Sequence, residues 1–198
     1  MFSPREHALE RGWPGRIDGD VVVQLAAQTL ESFLTGGGTA REHACFRLQD
    51  VVLRAPVLRP PSIRFFSTPH EFSFGNPASV HGPEEAVHAP APAHARFSVG
   101  AVIGDAQRIG GYTLVNDWCA PSLPPPKDRD FATTIGPWVE TELDDASFAW
   151  EEARAFAALH TALRPGDVLV APPFALGGAE ASFEGLGTLR ALLSSEGG

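Results

Sequence analysis

Ile109-Gly-Gly-Tyr-Thr-Leu-Val-Asn-Asp-Trp118 is the stretch on which the reading of the fold turns. It predicts a strand over Ile109 to Val115, with Gly110-Gly111 near its start and Asn116-Asp117 at its end. Upstream, Ala95 to Ile103 is also strand-like. Downstream, Pro121 to Lys127 holds four prolines in seven residues, which removes backbone donors and forbids regular structure. This segment is expected as a loop. Phe148 to Leu163 then shows apolar positions three and four residues apart, the period of a helix with one buried face, and Asp144-Asp145 precede it as candidate caps. Arg164-Pro-Gly-Asp167 turns the chain into a last strand from Val168 to Ala171.

Towards the N-terminus, Gly15 to Leu25 reads as a hairpin turned at Asp18-Gly19, where glycine supplies a positive φ. Ala26 to Leu34 reads as a helix stopped by Gly36-Gly37-Gly38, and Phe46 to Leu58 as a strand pair. The Pro60-Pro61 pair marks a seam between a small unit over residues 1–58 and a main domain over 59–198.

Composition limits the function classes. A chain of 198 residues with 43% hydrophobic content and a mean hydropathy of −0.05 can bury a core, and it has no apolar run of bilayer-spanning length. A net charge of −9, with 15 scattered Lys and Arg, argues against nucleic acid and anionic membranes as partners. Cys45 and Cys119 are too few and too far apart for a disulfide framework, and they read as reduced, partly buried thiols. Charges near the start leave no targeting segment, so a cytoplasmic protein is expected. His81, His88 and His94 match no compact metal spacing and read as solvated loop residues.

Several phrases, taken in order, resemble the fumarylacetoacetate hydrolase family. They are Pro60-Pro-Ser-Ile-Arg64, Phe74-Gly-Asn-Pro77 with Val80-His-Gly-Pro83, Ala101-Val-Ile-Gly104, Gly111 to Trp118, Asp130 to Trp138, and Arg164-Pro-Gly-Asp-Val-Leu169. The resemblance covers roughly residues 50 to 172. It implies an α+β class with a β-rich, rolled mixed sheet, an active site in a funnel at one end of that sheet, and a homodimer. It also implies a hydrolase, or a related isomerase or decarboxylase, acting on a small oxo acid or β-diketo acid. A hard cation, Mg²⁺ or Mn²⁺, then chelates the substrate oxygens and stabilises the enolate or alkoxide.

The resemblance assigns Asp117 as a metal ligand. The family's paired glutamates, which share one strand face because they alternate, map here onto Arg96 and Ser98. Two anionic ligands are therefore replaced, one by a permanent cation, and Mg²⁺ or Mn²⁺ binding is expected to be weak or absent. Arg96 is expected to pair with Asp117 instead, and Asp117, Arg96 and Arg129 to converge on one cleft. Arg129 stands at the family's lysine position with Lys127 nearby, both as catalytic candidates. Arg96, Arg129 and Tyr112 are the substrate-binding candidates. His70 and Glu71 lie where a lid base and its orienting carboxylate stand in the family. Ala171-Pro-Pro-Phe174 replaces a Gly-Thr pair that meets the substrate carboxylate. The alternative reading is a non-catalytic, metal-free binding or assembly protein of the same fold.

Overall fold

The computed structural model describes every residue except 8, 10 and 195–198; the last four, the end of the expected main domain, lie outside the described residues. Five strands occupy the first part of the chain: β1 (Phe2–Pro4), β2 (Gly15–Asp18), β3 (Val21–Leu25), β4 (Glu42–Arg47) and β5 (Val51–Leu53). β1 pairs with β5, and β2, β3 and β4 form a separate three-stranded sheet. The β2–β3 register closes on Asp18 opposite Val21, so the turn is Gly19-Asp20, with Gly19 at φ 61°. Phe2, Val22 and Val51 form a small core of their own, against which Trp13 and Phe46 pack.

The helix α1 (Leu30–Thr35) begins later than its composition predicts. Thr29 and Ser32 cap one another reciprocally, which fixes the start, while the amides of Ala26 and Ala27 bond to Arg41 and Leu25 carbonyls outside any helix. Gly36 ends it as expected. Phe46 to Leu58 is not a strand pair: β4 ends at Arg47, and a single 3₁₀ turn separates it from the short β5. Cys45 on β4 is exposed rather than partly buried, whereas Cys119 is half-buried.

The main sheet is built from β6 (Ile63–Thr68), β7 (Glu71–Phe74), β8 (Val80–His81), β9 (Arg96–Ile103), β10 (Ile109–Asp117), β11 (Thr133–Glu140), β12 (Val168–Val170) and β13 (Ala175–Leu176). Its order is β7-β6-β12-β9-β10-β11-β8, with β13 also on β9. The β12–β6 and β11–β8 pairs are parallel and the others antiparallel, so the sheet is mixed as expected. A last hairpin, β14 (Glu180–Phe183) with β15 (Gly187–Arg190), follows.

Alternation along β9 explains the core. Phe97, Val99, Ala101 and Ile103 face the larger apolar cluster, which helix α2 (Trp150–Ala157) covers with Trp150, Ala153 and Ala157 at helical spacing. Each large side chain buried this way contributes about 1.5–3 kcal/mol. The second cluster joins Ile63, Val115, Ile135, Val168 and Val170. α2 is shorter than the periodicity suggests, because the chain leaves helical geometry after Ala158 and His160 adopts φ 58°. Among the described residues no helix is long and apolar enough to cross a membrane.

Two segments far apart in sequence are tied at the sheet's start. Ser62 Oγ donates to Asp167 Oδ1 at 2.7 Å, and the Arg164 amide donates to Asp167 Oδ2 at 2.7 Å. Asp167 is buried, and Arg64 Nη1 lies 4.0 Å from its Oδ2.

Candidate functional site

The registers bring four strand ends together. β6 and β12 run parallel and β9 antiparallel to β12, so the C-terminal ends of β6, β10 and β12 meet the N-terminal end of β9. β9 pairs Ser98 with Val115 and Phe97 with Asn116; continuing by one residue sets Arg96 beside Asp117. The Arg96 amide caps this end by donating to Asn116 Oδ1 at 2.9 Å. Arg96 and Ser98 share a face of β9, and both line a cleft of about 420 Å³ together with Asp117 and Arg129.

Arg129 arrives from the proline-rich loop. Asn76 Nδ2 and Ser79 Oγ both donate to the Asp130 carbonyl at 3.0 Å, and the Ala120 amide donates to the Asp128 carbonyl at 2.7 Å. These bonds hold the loop where helix or sheet ladders are unavailable to it. Arg129 then donates to Asp117 Oδ2 from Nε at 2.8 Å and from Nη2 as well. Its guanidinium lies 5.2 Å from the centre of the Phe65 ring, a cation–π contact. Arg96 Nε is 3.5 Å from the same Asp117 oxygen. Thus Asp117, Arg96 and Arg129 do share one cleft, and Arg129 rather than Arg96 makes the hydrogen bonds to the carboxylate.

The Asp117 side chain is 2% exposed. Burial pushes its carboxyl above the usual range, opposed first by the Arg129 charge and hydrogen bonds and then by Arg96. Its Oδ1 is buried without a hydrogen-bond partner among the described residues.

The other candidate residues divide. Glu71 lines the cleft, but its carboxylate accepts from Ser67 Oγ at 2.5 Å. His70 turns away to meet the edge of Phe156, with ring centroids 5.6 Å apart, so the two do not form a base and its orienting carboxylate. The segment that carries His70 and Glu71, expected at lid positions, is the β6–β7 hairpin. Lys127 points to Asp130 at 2.8 Å, and Tyr112 packs edge-on against Trp150 with its phenol raised by burial; neither lines the cleft. Phe65, Phe66, Ser67 and Phe72 of the hairpin, with Pro172 and Pro173, line it too. The β-prone run Ile63 to Thr68 and the Pro69-His70 turn carry a hairpin signal in the sequence.

A hard divalent cation needs six or more oxygen ligands, carboxylates foremost. Here Asp117 Oδ2 is held by guanidinium, Arg96 and Ser98 replace the paired carboxylates, and Glu71 is engaged by Ser67. Among the described residues, no group of three or more His, Cys, Asp or Glu could hold a metal. The residues present do not fit Mg²⁺ or Mn²⁺.

No protein-family model and no curated protein matches the chain in sequence. Solved structures do. Maleylpyruvate hydrolase from Sphingobium sp. SYK-6 superposes with a TM-score of 0.77 at 18% identity, over 93% of this chain and 96% of that one, and it has also been solved with manganese(II) and pyruvate. 5-Carboxymethyl-2-hydroxymuconate delta-isomerase from Mycobacterium smegmatis gives 0.69 at 21% identity, over 91% and 93%. A 2-keto-3-deoxy-D-arabinonate dehydratase complexed with magnesium and 2,5-dioxopentanoate gives 0.76 at 13% identity, over 97% and 96%. These are fumarylacetoacetate hydrolase superfamily structures, and the mixed sheet described above is the fumarylacetoacetate hydrolase fold.

Proposed function

We propose that this protein acts on a small oxo acid, as a hydrolase or a related isomerase or decarboxylase, and that guanidinium charge does the electrostatic work in its cleft. The observation that carries the reading is the convergence of Arg96 and Arg129 on Asp117 within one cleft at the end of the sheet. Fixed cations stabilise an enolate or alkoxide as it forms, because they are aimed before the charge develops. The phenyl ring of Phe65, against which the Arg129 guanidinium lies, shields that side from water, which strengthens the interaction. The structural neighbours, by name, act on unsaturated or oxo acids, which supports this class of ligand.

A second reading, a binding protein without turnover, is favoured by one observation. Asp117 is already committed to Arg129, and Glu71, the other carboxylate of the cleft, is exposed. A panel of oxo and β-diketo acids, followed by loss of enol absorbance in EDTA, separates the two. Turnover abolished by Arg129→Met supports the enzyme; calorimetric binding without turnover supports the binding protein. The same reading expects a cytoplasmic homodimer, which light scattering on the purified chain tests for its oligomeric part.

A further inference from the structure

We infer that the cleft selects a 2-oxo monocarboxylate with an apolar tail, docked on Arg96 and Arg129 without a divalent cation. This rests on the oxo-acid reading above and adds the ligand's charge, its tail and the group that recognises it.

The donors come first. Arg129 commits Nε and Nη2 to Asp117, whereas its Nη1 and both terminal nitrogens of Arg96 make no hydrogen bond to a described residue. Both side chains are about one-third exposed, at 29% and 32%, so these donors are open to a ligand. Guanidinium N–H groups meet a carboxylate in matched geometry, an arrangement that a lysine ammonium does not reproduce. Ser98 lines the same wall, and its hydroxyl also lacks a hydrogen bond to a described residue, which leaves a donor for the 2-oxo oxygen.

Charge then limits the ligand. Arg96 and Arg129 carry two positive charges and Asp117 removes one, so the inner cleft offers one unit of charge to a ligand. The remaining charged lining residue is Glu71, which is exposed and negative. A second carboxylate on the ligand finds no cation and meets Glu71, a repulsion that acts as discrimination. Between these groups the apolar lining is Phe65 on the hairpin and Ala171, Pro172 and Pro173 on the segment after β12, with Ser67 and Ser73 beside Phe65. A volume near 420 Å³ suits a compact acid with a tail of this kind.

Isothermal titration calorimetry of the full chain in EDTA tests this with 2-oxohexanoate, hexanoate and 2-oxoglutarate, repeated with Mn²⁺ in place of EDTA. The expected result is 2-oxohexanoate binding about tenfold tighter than 2-oxoglutarate, unchanged by Mn²⁺. Arg96→Gln should weaken 2-oxohexanoate by about tenfold or more. Glu71→Gln should improve 2-oxoglutarate by about threefold relative to 2-oxohexanoate. Ser98→Ala should erase the preference for 2-oxohexanoate over hexanoate. Binding that appears only with Mn²⁺, or a preference for 2-oxoglutarate, overturns this inference while leaving the oxo-acid reading standing. Absence of binding by either 2-oxo acid, with and without Mn²⁺, overturns both.

Discussion

Arg129 holds Asp117 through two nitrogens on one oxygen, Oδ2, although the two stand twelve positions apart across the proline-rich loop. The carboxylate is buried and the guanidinium is not, so the pair sits at the inner wall of the cleft with its cationic side open.

Removing Arg129 leaves a buried carboxylate with Arg96 alone at 3.5 Å. Arg129→Met should destabilise the fold by about 2–4 kcal/mol near neutral pH, read from urea unfolding. The sign of its pH dependence follows from burial, which raises the folded-state pKa of Asp117 above the ordinary 3.8. An ionised Asp117 therefore opposes folding above that raised pKa and is relieved as pH falls through it. Without Arg129 the pKa rises further, so the gap between variant and wild type should shrink as the pH is lowered. A gap that widens towards acid contradicts the assignment.

Asp167 satisfies Ser62 and the Arg164 amide from a buried position. Asp167→Ala should cost about 2–4 kcal/mol and Ser62→Ala about 1 kcal/mol, both by denaturant midpoint. Neither residue lines the cleft, so ligand affinity at a temperature where the variants stay folded should be unchanged. A selective loss of affinity in Ser62→Ala would show that the tie belongs to the site.

The metal deficit is reversible in principle. Arg96→Glu with Ser98→Glu returns two carboxylates to one face of β9, next to Asp117. Millimolar Mn²⁺ should then raise the stability of the double variant by about 2.7 kcal/mol at a concentration of 100 Kd, whereas wild-type melting should be unmoved. If the double variant remains indifferent to Mn²⁺, Arg129 still holds Asp117 Oδ2, and adding Arg129→Lys should release it.

Much of this arrangement was legible from particular residues. Arg96 to Val99 alternates around Phe97, and family resemblance located Asp117, Arg96 and Ser98 on adjoining strand ends, where the register puts them. Arg129 was legible as a cleft residue only through that resemblance, since its loop is placed by Asn76 and Ser79 bonding a carbonyl, which no periodicity encodes. The β6–β7 hairpin was not legible from the resemblance, which placed only His70 and Glu71 there, so Phe65 went unassigned. His70 and Glu71 are sequence neighbours at a turn into β7, where successive side chains diverge; the reading as a pair ignored that alternation. Helix limits failed at α1 and α2 for local reasons, a Thr29 cap and a left-handed His160, that apolar spacing does not record.

The central claim is that guanidinium, and not a divalent cation, occupies the position beside Asp117 Oδ2. Crystals of the wild-type protein soaked in Mn²⁺ and 2-oxohexanoate, with anomalous data collected at the manganese edge, test it most directly. The expected result is no anomalous peak at Asp117, Arg129 still donating from Nε and Nη2, and the ligand carboxylate on Arg96. A manganese peak within about 2.5 Å of Asp117 Oδ2, with Arg129 swung away, would contradict it.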